Sequence, residues 1–178
     1  MMSAVLVMML ANVTQKRRPP PPPPRVEYFV SESRVFSADG KPKGIIVGLV
    51  RREYQPVENK IKETGIALDP APDALPTVVN IEWAIEGDVA TITEDSGRIK
   101  GKGRLGGTPW SWNEWAWNVS MKDVPGIFRN TAKVTRAGVT IRTEQVDASG
   151  KVLAIFDQVD TRIRKETYEL LRSRLLPQ

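Results

Sequence analysis

Apolar and polar residues alternate in short runs over most of the chain. In the clearest run, from Thr77 to Ile85, the apolar residues share one face: Val79, Ile81, Trp83 and Ile85. A repeat of two residues is that of a β-strand with one buried face. Similar runs recur at roughly ten-residue spacing from Arg25 to Ile163, separated by Gly, Asp, Ser and Pro. The pattern predicts about nine or ten antiparallel strands joined by hairpins, without parallel crossovers.

The most informative stretch carries four of the five tryptophans of the chain, at Trp110, Trp112, Trp115 and Trp117. At a strict two-residue period, the first two indoles share one face of a strand and the last two share the other. One extra residue near Asn113-Glu114, a β-bulge, would instead bring all four to the same face. If all four indoles lie on one face, a packed core is the favoured interpretation, and the lining of a ligand cavity is the alternative. An exposed pair would indicate an interaction surface.

The strand before it, Arg98 to Leu105, carries glycine on one face and basic residues on the other. Gly101 and Gly103 leave room for bulky neighbours, and the turn Gly106 to Pro109 makes the tryptophan strand antiparallel to them. We therefore expect indoles to cover these glycines. The basic ladder consists of Arg98, Lys100, Lys102 and Arg104. An exposed face that discourages edge pairing is the favoured interpretation, and a site for phosphate or an acidic headgroup is the alternative.

The last predicted strand, Val152 to Ile163, leaves the position of one acid open. Asp157 shares a row with Leu153, Ile155 and Val159. If that row faces the core, Asp157 must be paired or hydrogen-bonded, because burial of an isolated carboxylate is costly and raises its pKa. If the other row faces the core, Asp157 meets solvent. In the first case, Asp157 with Asn130 would form the best polar pair to orient a ligand or to act as a general base.

A helix is predicted after the last strand. In Lys165 to Leu176, the residues Tyr168, Leu171 and Leu175 recur at helical spacing, with Arg172 and Arg174 turned away from them. We expect this amphipathic helix to pack on the sheet or to plug one of its ends.

The first 24 residues differ from the rest and are treated as a separate segment, with the barrel domain at 25–178. Met1 to Val13 is mostly apolar but too short to span a bilayer. An export signal is favoured over a disordered start, which predicts a periplasmic or secreted protein, with the cytoplasm as the alternative. Pro19 to Pro24 should form a stiff polyproline II spacer, or alternatively a ligand for SH3-type or WW-type grooves.

Composition removes much of the usual catalytic chemistry. The chain of 178 residues has no Cys and no His, which excludes a Ser-His-Asp triad, a thiolate nucleophile and a Cys/His zinc site. No metal and no cofactor is predicted. The formal net charge is +5, but the 26 basic residues are interspersed with 21 acidic ones. A solvated basic surface is therefore favoured, and no nucleic-acid partner is predicted.

The chain resembles the lipocalin-like (calycin) group of β-barrels, in particular small bacterial proteins of unassigned function. The resemblance covers residues 25–176 and rests on the hairpin meander, the passage Gly-x-Gly-x-Leu-Gly-Gly-x-x-Trp-x-Trp at Gly101 to Trp112, the hairpin Asp147 to Lys151, and the final helix. It implies an all-β fold: an antiparallel up-and-down barrel, or a strongly curled sheet, with a C-terminal helix.

Three functions follow as expectations. The first is non-enzymatic binding of a small apolar or amphipathic molecule in the barrel. Its candidate ligand-binding residues are Trp83, Trp110, Trp112, Trp115, Trp117, Asn130 and Asp157. The second is a structural or assembly module with a filled barrel, which meets a protein partner through the tryptophan strand or the polyproline segment. The third is a carboxylate-dependent isomerase or cyclase that uses Asp157 and Glu114. A membrane-spanning protein is not expected.

Overall fold

The strands follow one another along the chain with only short connections. The computed structural model describes residues 20–68 and 75–176, and within them it contains ten β-strands, a 3-10 turn at Pro56–Glu58 and one α-helix. The strands are β1 (Arg25–Ser37), β2 (Pro42–Gln55), β3 (Lys60–Leu68), β4 (Thr77–Glu86), β5 (Val89–Glu94), β6 (Ile99–Thr108), β7 (Ser111–Met121), β8 (Ile127–Val134), β9 (Gly138–Val146) and β10 (Val152–Ile163), and the helix is α1 (Lys165–Leu175).

The sheet closes on itself. Each strand pairs antiparallel with the next, and β10 returns to pair with β1, so that ten strands form a closed barrel. The closing pair runs from Tyr28 opposite Ile163 to Ser37 opposite Ala154. The predicted all-β, up-and-down barrel with a C-terminal helix is confirmed. Closure pairs each strand on both sides, which removes the exposed ladders at which open sheets associate.

The two ends of the barrel differ in how they are filled. The closed end carries the β6–β7 turn at Pro109 and Trp110, and the open end carries the β1–β2 turn at residues 38–41. The main core cluster lies towards the closed end, and its largest members are Phe29, Tyr54, Ile61, Trp83, Ile92, Leu105, Trp110, Trp112 and Trp115. Its position leaves interior space only towards the open end.

Helix α1 packs against the side of the barrel. Its buried Tyr168 lies with its ring centroid 5.1 Å from that of Tyr28 on β1. Leu49 and Ile66, which face each other across β2 and β3, complete this second apolar cluster. Because the adjacent Val50 belongs to the interior core, the pleat points Leu49 outward. The predicted amphipathic helix is confirmed, and it covers the outside rather than plugging an end.

Several predictions lie outside the described residues. These are the export signal in Met1 to Val13, the first residue of the proline run, and the part of the proline-bearing loop at 69–74. Pro20 to Pro24 are exposed and have no regular secondary structure, and β1 begins directly after them at Arg25. Of the helices in the described part of the chain, none combines the length and the apolar content needed to cross a bilayer.

Candidate functional site

A β-bulge brings the clustered tryptophans to the same side of β7. Along the β6–β7 pair, Gly106 lies opposite Glu114 and Gly107 lies opposite Trp112, so Asn113 is an extra residue. One extra residue shifts the pleat by one position and reverses which side chains point inward. Of the two alternatives given by the sequence, the bulge is correct. All four indoles belong to the main core cluster or pack against it: Trp110, Trp112, Trp115 and Trp117.

The indoles contact one another rather than enclosing a space. The ring centroid of Trp83 lies 5.3 Å from those of both Trp115 and Trp117, in the edge-on geometry that aromatic pairs prefer. A Cβ added at Gly103 would lie 2.5 Å from the Cβ of Trp117, so an indole covers this glycine as predicted. At Gly101 the covering side chain is Val119 instead. The tryptophan end of the barrel is therefore solid.

The interior space lies at the open end, as a cavity of about 320 Å³. One wall, from β2 to β4, is apolar and made largely of small residues: Ile46, Gly48, Val50, Gly65, Ala67 and Val79. The other wall, from β1 and β8 to β10, mixes two phenyl rings with hydroxyl and amide groups: Ser31, Ser33, Phe128, Thr143, Phe156 and Gln158. Of the described residues that line the cavity, none is a tryptophan and none is charged.

Asn130 is buried inside the barrel, next to the polar wall. Its Nδ2 donates to the carbonyl oxygens of Trp117 at 3.2 Å and of Phe128 at 3.0 Å. Its Oδ1 accepts from Thr143 Oγ1 at 2.7 Å. The side-chain amide thus fixes the hydroxyl of Thr143, which does line the cavity. Direct contact between Asn130 and a ligand stays a prediction.

A buried group of charges lies beneath the cavity. Arg52 on β2 donates from Nε to Glu63 Oε2 at 2.6 Å, and its Nη2 lies 3.9 Å from Asp160 Oδ2. Gln158, which lines the cavity, donates from Nε2 to Asp160 Oδ1 at 2.7 Å. Within the described residues, Arg52 Nη1 and Asp160 Oδ2 have no hydrogen-bond partner. Gln158 therefore separates the cavity from the charges.

Burial and charge act in opposite directions in this group. Burial lowers the pKa of the Arg52 guanidinium, but attraction to Glu63, Tyr54 and Asp160 outweighs it, so the pKa lies above its ordinary value. For Asp160 burial dominates and raises the pKa of the carboxyl, although Arg52 and Gln158 oppose the shift. Arg52 is thus held firmly in its charged form, whereas Asp160 is the member of the group whose charge is costly.

A second charged group sits at the closed end. Glu27 accepts from Tyr54 Oη at 3.1 Å and from Arg162 Nη2 at 3.0 Å. Arg25 Nη1 donates to the carbonyl oxygen of Trp110 at 2.8 Å and stacks on the Tyr54 ring, 3.8 Å from its centroid. These contacts tie the start of β1 to the β6–β7 turn and cover the indole core.

The acid predicted as a site residue lies on the outside of the barrel. Asp157 pairs with Arg142 at 3.1 Å, and its side chain is 47% exposed. The even-numbered residues of β10 face the interior instead, and Asp160 is the buried acid among them. Of the two alternatives given by the sequence, the one in which Asp157 meets solvent is correct, because β10 turns its even-numbered residues inward. This inward row of β10 ends in Gln158, Asp160 and Arg162. Polar residues of this kind are typical of a face in contact with solvent, so the sequence pattern did not indicate that the row faces the interior.

The two carboxylates expected for an isomerase or cyclase, Asp157 and Glu114, lie on the outside of the barrel. Asp157, Glu114 and the backbone region of Trp115 border an open depression of about 680 Å³. Asp157 is ion-paired there with Arg142. Within the described residues, no group of three or more carboxylates lies close enough together to hold a metal ion.

Large apolar side chains are exposed near the open end of the barrel. Six of them lie on or next to β2, β4, β8 and β10: Ile45, Val47, Leu75, Val78, Ile127 and Leu153. Phe128 and Phe156 line the cavity at the same end.

Comparison of the chain with protein-family models, with curated proteins and with solved structures gave no match.

Proposed function

We propose that the protein is a lipocalin-like barrel of the calycin kind that binds a small, uncharged amphipathic molecule, without catalysis, in the cavity at its open end. The observation that carries this proposal is the two-sided cavity. Small apolar residues of β2 to β4 face hydroxyl and amide groups of β1, β9 and β10. A ligand with one apolar side and one hydrogen-bonding edge would satisfy both walls.

Size and charge narrow the class of ligand. A volume of about 320 Å³ is at the lower end of typical ligand pockets, so the ligand is small. A charged ligand would lose its hydration without meeting a counter-charge on the described lining, at a cost of several kcal/mol. Arg52 does not supply that counter-charge, because Glu63 and Asp160 already neutralise it.

Ser31, Ser33, Thr143 and Gln158 supply the polar contacts. The Gln158 amide nitrogen is engaged with Asp160, which leaves its oxygen as an acceptor. The serine hydroxyls donate or accept as the ligand requires. Alcohols, phenols and neutral amides present matching groups. The tryptophans would act by holding the closed end rigid, and Asn130 by fixing the hydroxyl of Thr143. Asp157, which pairs with Arg142 on the outside of the barrel, would not contact the ligand.

A second candidate is the structural module with a filled barrel. It is favoured by the indole core, which fills the closed end completely. Under this alternative the space at the open end would be too poorly formed to hold a ligand.

Gly65 offers a test, because it faces the cavity and an added Cβ would lie 3.9 Å from its nearest neighbour. Gly65→Leu should fill the cavity without a clash. N-phenyl-1-naphthylamine, a neutral dye, should bind the wild type saturably and lose at least about tenfold in affinity with the variant. The control is Ala84→Leu, which adds the same side chain on the exposed outer face of β4. Displacement of the dye by neutral long-chain or isoprenoid alcohols would then define the ligand class. No dye binding, or equal binding by both variants, would favour the filled barrel.

A further inference from the structure

A trough runs along the outer face of β7, on the side of the barrel away from α1. Its floor consists of the short outward residues Ala116, Asn118 and Ser120, all of them exposed. On β6, longer basic residues face each of them across the strand pair: Arg104 opposite Ala116, Lys102 opposite Asn118, and Lys100 opposite Ser120. One wall of the trough therefore consists of Lys100, Lys102 and Arg104, the part of the basic ladder that lies on β6.

The other wall belongs to β8. Arg129 lies opposite Asn118, and Lys133 lies opposite Glu114 at the end of the trough. Depressions of the outer surface border this face at two places. One, of about 410 Å³, extends from β5 to β7 and is bordered by Lys100, Lys102, Asn118 and Ser120. The other, of about 680 Å³, extends across the barrel from β6 to β10 and includes Arg104, Ala116 and Lys133 in its lining.

The charges of the two walls are largely unneutralised. Arg104 reaches Asp88 at 4.0 Å, whereas the other four basic residues form no ion pair within the described part of the chain: Lys100, Lys102, Arg129 and Lys133. Two acids lie nearby: Glu114 on the floor strand, and Glu144 on β9, which lies opposite Arg129 but pairs with Arg142 at 3.5 Å. Such a concentration of one sign of charge attracts an oppositely charged partner and orients it.

We propose that this trough is a docking site for an extended acidic segment of a partner protein. In an extended peptide, side chains on one face recur every two residues, at about 6.6–6.8 Å. Lys100, Lys102 and Arg104 recur at the same interval, because β6 is itself extended. Carboxylates on one face of a segment that lies along β7 can therefore meet the basic residues in register. The walls stand two strand spacings apart, about 9.5 Å, which is wide enough for one extended chain.

Other polyanions fit the trough less well. Single-stranded nucleic acid gains about 1–3 kcal/mol per base by stacking on aromatic rings, and within the described trough the aromatic side chains all point into the barrel. An anionic bilayer is flat, and the outer face of a closed barrel curves away from it. Glu114 would also repel a uniformly charged backbone, whereas a peptide can place a neutral or basic residue beside it.

The test measures binding of a fluorescein-labelled peptide of alternating glutamate and threonine, about twelve residues long, to the full chain by fluorescence anisotropy at low salt. A second peptide of the same composition carries its glutamates in adjacent pairs, so that only half of them share a face. The alternating peptide should bind at least about fivefold more tightly than the paired one. Equal binding would show unspecific charge attraction and overturn the proposal.

Protein variants locate the site. Lys102→Glu with Arg129→Glu reverses both walls beside Asn118 and should weaken binding of the alternating peptide by at least about tenfold. The matched control, Lys43→Glu with Lys62→Glu, changes the net charge equally on exposed residues of β2 and β3 and should change binding by less than about twofold. Circular dichroism would verify that both variants are folded. An equal loss in the two variants would contradict the proposal, as would tighter binding of oligothymidylate or of phosphatidylglycerol vesicles than of the alternating peptide.

Discussion

Arg52 and Asp160 face each other inside the barrel, with Nη2 of the guanidinium 3.9 Å from Oδ2 of the carboxylate. Glu63 binds the same guanidinium more closely, at 2.6 Å, and the Arg52 side chain is only 3% exposed. Three charged groups are thus enclosed between the indole core and the cavity. Removal of charges from water is expensive, so each member depends on the others.

Loss of Arg52 should therefore be costly. Arg52→Met leaves Glu63 and Asp160 without their cation, and the free energy of unfolding should fall by about 3–5 kcal/mol. Urea denaturation would measure the change. Lys60→Met is the matched control, since it breaks the more exposed Lys60–Glu82 pair and should cost less than about 1 kcal/mol. Similar costs for both variants would contradict the role given to the buried group.

Asp160 should give stability a characteristic dependence on pH. The folded-state pKa of its carboxyl is raised above the ordinary 3.8, mainly by burial. Its contribution to stability is therefore fully present below pH 3.8 and is lost as the pH rises through the folded-state pKa. Asp160→Asn removes this titration. The unfolding free energy of the wild type, relative to that of the variant, should fall from pH 3.8 upward and then level off. A relative gain by the wild type over that range would contradict the shift.

Two glycines on inward positions should respond differently to the same side chain. At Gly103 an added Cβ would meet the Cβ of Trp117 at 2.5 Å, whereas at Gly65 the nearest atom is 3.9 Å away. Gly103→Val should therefore destabilise the barrel by about 1–3 kcal/mol through overpacking, and Gly65→Val by much less. Urea denaturation together with near-ultraviolet circular dichroism of the indoles would separate the two. Equal losses of unfolding free energy in the two variants would contradict the close contact between Trp117 and Gly103.

The bulge at Asn113 should control which way two indoles point. Deletion of Asn113 restores a regular ladder and turns Trp110 and Trp112 outward, because a shift of one residue reverses the pleat. Tryptophan emission should shift to longer wavelength and become accessible to iodide. Asn113→Ala keeps the extra residue and should leave both properties unchanged. A deletion variant with the emission of the wild type would contradict the assignment of the bulge.

The sequence was most informative where one face of a strand is apolar. The alternation in Thr77 to Ile85 and the turn residues that follow it predicted β4 and the hairpins around it, and the limits of β10, Val152–Ile163, agree with the prediction. The sequence pattern of β3 (Lys60–Leu68) is weaker. Its polar first half gave little contrast, and Gly65 interrupts the alternation. The pairing of β1 with β10 closes the barrel, but nothing in the local sequence of either strand indicates its register.

The candidate site was harder to predict, because its lining looks polar. Ser31, Ser33 and Gln158 point inward, although residues of these types usually face solvent. A packed core was the favoured interpretation of the clustered indoles, and it agrees with their place in the main core cluster. Because the lining of a ligand cavity was the alternative, they were also named as ligand-binding candidates. A single inserted residue at Asn113 decides the side on which they lie, and the two phases were equally compatible with the sequence.

The central claim is that the barrel is solid at its tryptophan end and hollow at its open end. The chain has no native cysteine, so single cysteines can report on each region. Ser33→Cys places a thiol on the cavity wall, and Ala132→Cys places one in the indole core. We predict that N-ethylmaleimide labels the first in the folded protein, more slowly when N-phenyl-1-naphthylamine is bound, and labels the second only in denaturant. Equal protection of the two thiols in the folded protein would contradict the claim.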